Sequence, residues 1–202
     1  MPPDNMFSQA LQGLNMPQPD NRHKVFVSFH NEDIAYRNLF DRYYGDHFIS
    51  KSVDFGDIDP HNKDEYIKKL IQAEHITDSS VVVALYGQNT WRRKHVDWEL
   101  YAGLTQKVGG RSGLMVMILP TFPAKPIINQ FGQIDNSPLY PFLHPRTAAN
   151  VRSGFANLYF WPGMYPQLPE IPIKDAFEDT FKKRITYQNY VDLSHPQYQE
   201  NK

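Results

Sequence analysis

Two runs in the chain, Val81-Val-Val-Ala-Leu85 and Leu114-Met-Val-Met-Ile-Leu119, are apolar at every position. A strand with one wet face alternates apolar and polar residues, so unbroken runs of this length fit strands covered on both faces. Val25-Phe-Val-Ser-Phe29, β-branched and aromatic, reads as a buried first strand. Helical periods lie between the runs. Ile34 to Tyr44 offers Ile34, Leu39, Phe40 and Tyr43 to a core. Asn62 can cap a second helix, with Glu65 at the capping-box position. A third runs from about Arg93 to Val108 and is stopped by Gly109-Gly110. Ser52 to Phe55 is a weak second strand, Asn157 to Trp161 an edge strand, and Ile173 to Tyr190 a closing helix carrying Ala176, Phe177, Phe181 and Ile185. Strands alternating with helices make βαβ units. The expected fold is α/β and flavodoxin-like, a parallel sheet of order 2-1-3-4-5 flanked by helices.

The ends and one internal stretch stand apart. Residues 1–22 are rich in Pro, Asn, Gln and Met and read as a leader, although Met6, Phe7, Ala10, Leu11 and Leu14 recur at helical spacing after Asp4 and would suit a short docking helix. One domain is expected over 23–190, with an irregular Pro-rich insertion over 120–155 and a tail over 191–202. The chain has no cysteine, which excludes disulfides, thiolate catalysis and cysteine-ligated zinc. A net charge of -1 gives no global attraction to nucleic acid or acidic membranes. No apolar run approaches the roughly 20 residues that span a bilayer, and no secretory signal is visible. The expectation is a cytoplasmic protein with neither nucleic-acid nor membrane partners.

An open parallel sheet binds ligands beyond the carboxyl ends of its strands, where strand order reverses. Here that point lies between strands one and three, at Phe29-His30-Asn31-Glu32-Asp33 and Gly87-Gln88-Asn89-Thr90-Trp91. The second loop leads into the helix carrying Glu99. Val96, Leu100, Leu104 and Val108 form that helix's buried stripe, and Glu99 flanks it, with Gly103 one turn on leaving space beside the carboxylate. A partly buried acid beside a gap is a candidate for a perturbed pKa; an ordinary surface glutamate has the same periodicity.

KVFVSFHNEDIAYRNLF, YIKKLIQAEHITDSSVVVALYGQNTWRRKHVDWELYAGL and SGLMVMILP together resemble the TIR-like proteins of the Thoeris antiphage defence system, over roughly residues 24–120 and more loosely at NLYFWPG. The telling pieces are Ser28-Phe29-His30 with Asp33 and Arg37 following, and an Arg-rich turn before Trp98-Glu99-Leu100. The resemblance implies a TIR-type NAD⁺-cleaving enzyme with Glu99 as the catalytic residue. NAD⁺ would be the substrate, with no cofactor, and the product an ADP-ribose-derived nucleotide, cyclic if captured within the molecule. It further implies a downstream effector sensing that product, and leaves open a phage-derived activator and a homo-oligomer. Substrate-binding candidates are Phe29, His30, Asn31, Asp33 and Arg37, Asp54 near the loop that gates nucleotide access in TIR domains, Trp91, and Arg92, which could hold pyrophosphate oxygens or simply be a solvated turn. One departure is His95, where many TIR NADases carry Trp; Trp91 or Trp98 could supply the ring.

The His, Asp and Glu spacings give no metal-ligand pattern, so no metal is expected. A phospho-receiver would want Asp where Gly87 ends the third strand. Two alternatives remain: a non-catalytic TIR-type interaction module, and an N-glycoside-processing transferase of similar fold.

Overall fold

The computed structural model describes residues 22–51 and 76–202. Five parallel strands form one sheet, in the order β2 (Phe48–Ser50), β1 (His23–Ser28), β3 (Val81–Tyr86), β4 (Gly113–Ile118) and β7 (Asn157–Phe160). A separate antiparallel pair, β5 (Ile127–Ile128) and β6 (Ile134–Asp135), lies in the loop after β4. β3 and β4 are central, and all six residues of each are buried. The expected order therefore holds, with β7 as the fifth strand of the sheet.

Alternate residues feed two cores, as a period of two requires. Phe26, Val82, Ala84, Leu114 and Val116 face α2 (Lys94–Leu104), where Val96, Leu100 and Leu104 meet them. Val25, Val27, Val83, Met115 and Met117 face the other way, toward Phe40 of α1 (Ile34–Tyr44) and Phe177 of α4 (Ile173–Thr186).

Several expectations are corrected in detail. A strand is found at Phe48–Ser50, after a 3-10 turn at Gly45–His47 that follows α1; Ser52–Phe55 and the helix capped by Asn62 lie outside the described residues, as does the leader through residue 21. Ile34, Tyr43 and Ile185 are exposed, because a helix on one face of a sheet buries only a narrow stripe. α2 ends at Leu104, so Val108 is in water. Thr105 breaks the helix in extended geometry, and the Gly109-Gly110 pair, both at positive φ, makes a later turn. The stretch 120–155 is less irregular than expected. It contains a 3-10 turn at Ser137–Phe142 and α3 (Pro145–Arg152). α3 escapes periodicity because its buried residues include Arg146, Thr147 and Asn150. Among the described residues no helix is long and apolar enough to cross a membrane.

Candidate functional site

Ser28 closes β1 on the side of the sheet that α2 covers. Its hydroxyl is buried and donates to Glu99 Oε2 at 2.5 Å. Among the described residues Glu99 Oε1 has no hydrogen-bond partner. Burial strips water from this carboxyl and pushes its pKa up to about 7, while the Ser28 hydrogen bond pulls in the opposite direction. Glu99 therefore sits at the carboxyl end of β1, beside the switch point, as a carboxylate that one hydroxyl alone satisfies.

Gly103 contributes differently from the expectation. A Cβ there would stand 2.6 Å from Val82 Cγ2. The absent side chain leaves no gap beside Glu99; it lets α2 settle closely on β3, which brings Glu99 within reach of β1.

Around this pair the strand-end loops are tied by Asp33. Its side chain is 4% exposed. Thr90 Oγ1 donates to Asp33 Oδ2 at 3.0 Å, the Gly87 amide donates to Thr90 Oγ1 at 3.0 Å, and Thr121 Oγ1 lies 3.5 Å from Asp33 Oδ1. A Cβ on Gly87, the residue after β3, would sit 2.1 Å from Asp33 Oδ1, so any larger residue there would displace the Asp33 carboxyl. Burial raises the Asp33 pKa, opposed by the two threonines. The carboxyl joins the loops after β1, β3 and β4.

The remaining candidates are scattered around the switch point. His30 is half-buried, with Nε2 3.5 Å from Glu32 Oε1, and desolvation, followed by the charge of Arg93, lowers its pKa. Asn31 is exposed. Phe29 packs toward the α1 side of the sheet, with the Arg37 guanidinium 6.0 Å from its ring centroid; Arg37 is buried and pairs with Asp41. These two lie on the opposite side of the sheet from Ser28 and Glu99. Trp91 packs edge-on against Phe142, and exposed Arg92 stacks over it at 4.8 Å. Asp54 lies outside the described residues. His95 meets Trp98 edge-on at 5.1 Å, and the Trp98 indole N–H donates to Tyr198 O at 2.8 Å. Among the described residues no cluster of three acidic or histidine side chains could hold a metal ion.

Sequence reasoning assigned no site role to two parts of this arrangement. Ser28 carried part of the resemblance and was visible as the one polar residue in Val25–Ser28, at the strand's carboxyl end, but was not among the site candidates. The tail carried no signal, yet it binds the outer side of α2. The Tyr198 amide donates to Asp97 Oδ2 at 2.9 Å, the Lys94 amide to Asn201 Oδ1 at 3.0 Å, and the Lys202 amide to Arg92 O at 3.0 Å. A cavity of about 640 Å³ lies elsewhere, lined by Tyr44, Met117, Tyr159, Trp161, Tyr165 and Glu170. It is on the α1 and α4 side, away from the Ser28–Glu99 pair.

Set against known families, residues 26–122 match the TIR-like domain of the Thoeris protein ThsB. No curated protein matches the chain.

Proposed function

We propose, from the match of residues 26–122 to the TIR-like domain of the Thoeris protein ThsB, that this chain is an antiphage-defence TIR protein that cleaves NAD⁺ at the nicotinamide–ribose bond with Glu99 as the catalytic carboxylate. The observation that carries the reading is the Glu99–Ser28 pair: a partly buried acid at the switch point with one oxygen anchored and the other unpartnered among the described residues. As the C1′–N bond breaks, its electron pair goes to the pyridinium nitrogen and nicotinamide leaves neutral. The ribose acquires oxocarbenium character, which a nearby carboxylate stabilises. Nicotinamide is a good leaving group, so the step needs no general acid. Water adds at C1′ and loses a proton to give ADP-ribose; a nucleophile within the same molecule gives a cyclic product for an effector to sense.

Incubation with NAD⁺, with nicotinamide and products followed by chromatography, tests this. Glu99→Gln should reduce nicotinamide release by roughly a hundredfold or more, the scale of removing one electrostatic group from a transition state. Equal release from the wild type and the variant would overturn the assignment.

A further inference from the structure

Ser28 serves no evident purpose in the sheet. Its backbone register with Ala84 continues the β1–β3 ladder without help from the side chain. Its neighbours Val25, Phe26 and Val27 are apolar and buried, and an apolar residue would suit the same layer. A buried hydroxyl is costly unless paired, and this one donates to Glu99 Oε2. We propose that Ser28 is the positioning residue for the NAD⁺-cleaving carboxylate, fixing Oε2 so that Oε1 is presented to the ribose and holding the group in its charged form as the C1′ cation develops. The inference rests on the reaction proposed above.

The physical case is one of balance. Burial favours the neutral acid, which could not stabilise a cation, whereas donation from an O–H favours the anion. Strong donors on both oxygens would spend the charge. A single neutral hydroxyl keeps the group ionisable near neutrality and leaves one oxygen uncommitted. Burial and Ser28 are the influences on Glu99 among the described residues, with no charged neighbour contributing. Along the packed elements the nearest titratable side chains in sequence are Asp97, which is turned to the tail, Tyr101, whose ring lies under the Arg146 guanidinium, His95, one turn earlier on α2, and His30, two residues beyond Ser28. A Ser28 substitution leaves all four in place, so a change in Glu99 titration reports the hydroxyl.

The experiment compares wild type, Ser28→Ala and Ser28→Cys in two readouts: the pH profile of nicotinamide release from NAD⁺, and the Glu99 carboxyl titration by ¹³C NMR, assigned against Glu99→Gln. Ser28→Ala should move the titration midpoint and the rate profile upward together by about one pH unit. At pH 7 kcat should fall several-fold with KM for NAD⁺ little changed, and the deficit should shrink as pH rises. Ser28→Cys, a weaker donor of similar size, should fall between the two and serves if the alanine variant does not fold. An unmoved midpoint in a folded variant, or a rate deficit equal at every pH, would overturn the proposal. Should wild type and Glu99→Gln release nicotinamide equally, the reaction reading fails, while the carboxyl titration still decides whether Ser28 controls Glu99.

Discussion

Asp97 and Glu99 stand two residues apart on α2 and are treated in opposite ways. Asp97 is 1% exposed and paired on both oxygens: Arg146 Nε lies 3.4 Å from Oδ1, and the Tyr198 amide donates to Oδ2. Arg146 is itself fully buried, donates to His195 O and stacks at 4.7 Å on Tyr101. Glu99, turned toward the sheet, has the Ser28 hydroxyl. Burying a charge costs several kcal/mol unless it is paired and hydrogen-bonded. Asp97 meets that demand and fastens the tail to the domain. Glu99, only partly buried, has that single donor, and desolvation holds its pKa up at about 7 against the pull of the Ser28 hydrogen bond.

Breaking the paired side should have the larger effect on folding. Asp97→Asn leaves the Arg146 charge buried without its partner, at a cost of about 3–5 kcal/mol. For a domain of this size the thermal midpoint should fall by roughly 10 °C. Limited proteolysis should find the tail released, and a drop within a degree or two of wild type would show that the ion pair is not the fastening.

A smaller effect is expected where α2 meets β3. Gly103→Ala introduces a methyl into Val82, an overpacking worth about 1–3 kcal/mol. It should lift α2 from the sheet, lengthen the Ser28–Glu99 hydrogen bond and reduce nicotinamide release more than it reduces stability. Adding Val82→Ala should recover part of both. No recovery in the double variant would separate the helix approach from the site.

The pH dependence of stability sharpens the comparison from the other side. The Glu99 pKa is raised from 4.5 to about 7, so the folded state binds more protons than the unfolded one within that window, and this group's contribution falls as pH rises through it. His144 runs oppositely. It is buried between Tyr86 and the Arg93 carbonyl, and desolvation lowers its pKa from 6.5 to about 4. The folded state then binds fewer protons between those values, so its contribution rises with pH. Glu99→Gln removes only the falling contribution. Urea midpoints should show the variant close to wild type near pH 4.5 and more stable above pH 7, by on the order of 2 kcal/mol.

What the sequence disclosed follows the same physics. β3 and β4 were legible because burial on two faces forbids polar residues, and α1 was legible as an element of the right length, although its period misplaced Ile34 and Tyr43 in the core and missed buried Arg37. Topology then pointed to the switch point as the candidate site, and Glu99 was singled out there by the family resemblance, its place beside the Val96–Leu100 stripe being equally that of a surface glutamate. Polar interiors were not legible. α3 buries Arg146, Thr147 and Asn150, the tail docks through backbone amides and carbonyls, and Asp33 is a buried knot among loops. Each is stabilised by partners distant in the chain, a pairing that hydrophobic period does not encode. Gly103 illustrates the limit: its importance was readable, but only the fold reveals Val82 as the neighbour that requires it.

The central claim is that Glu99 is a partly buried, under-compensated carboxylate that titrates near neutrality. Carbon-13 NMR of the Glu side-chain carboxyls across pH 3 to 10, compared with Glu99→Gln, tests it directly. The account expects one resonance with a midpoint near 7, absent from the variant. A Glu99 midpoint at or below the ordinary glutamate value of 4.5 would contradict it.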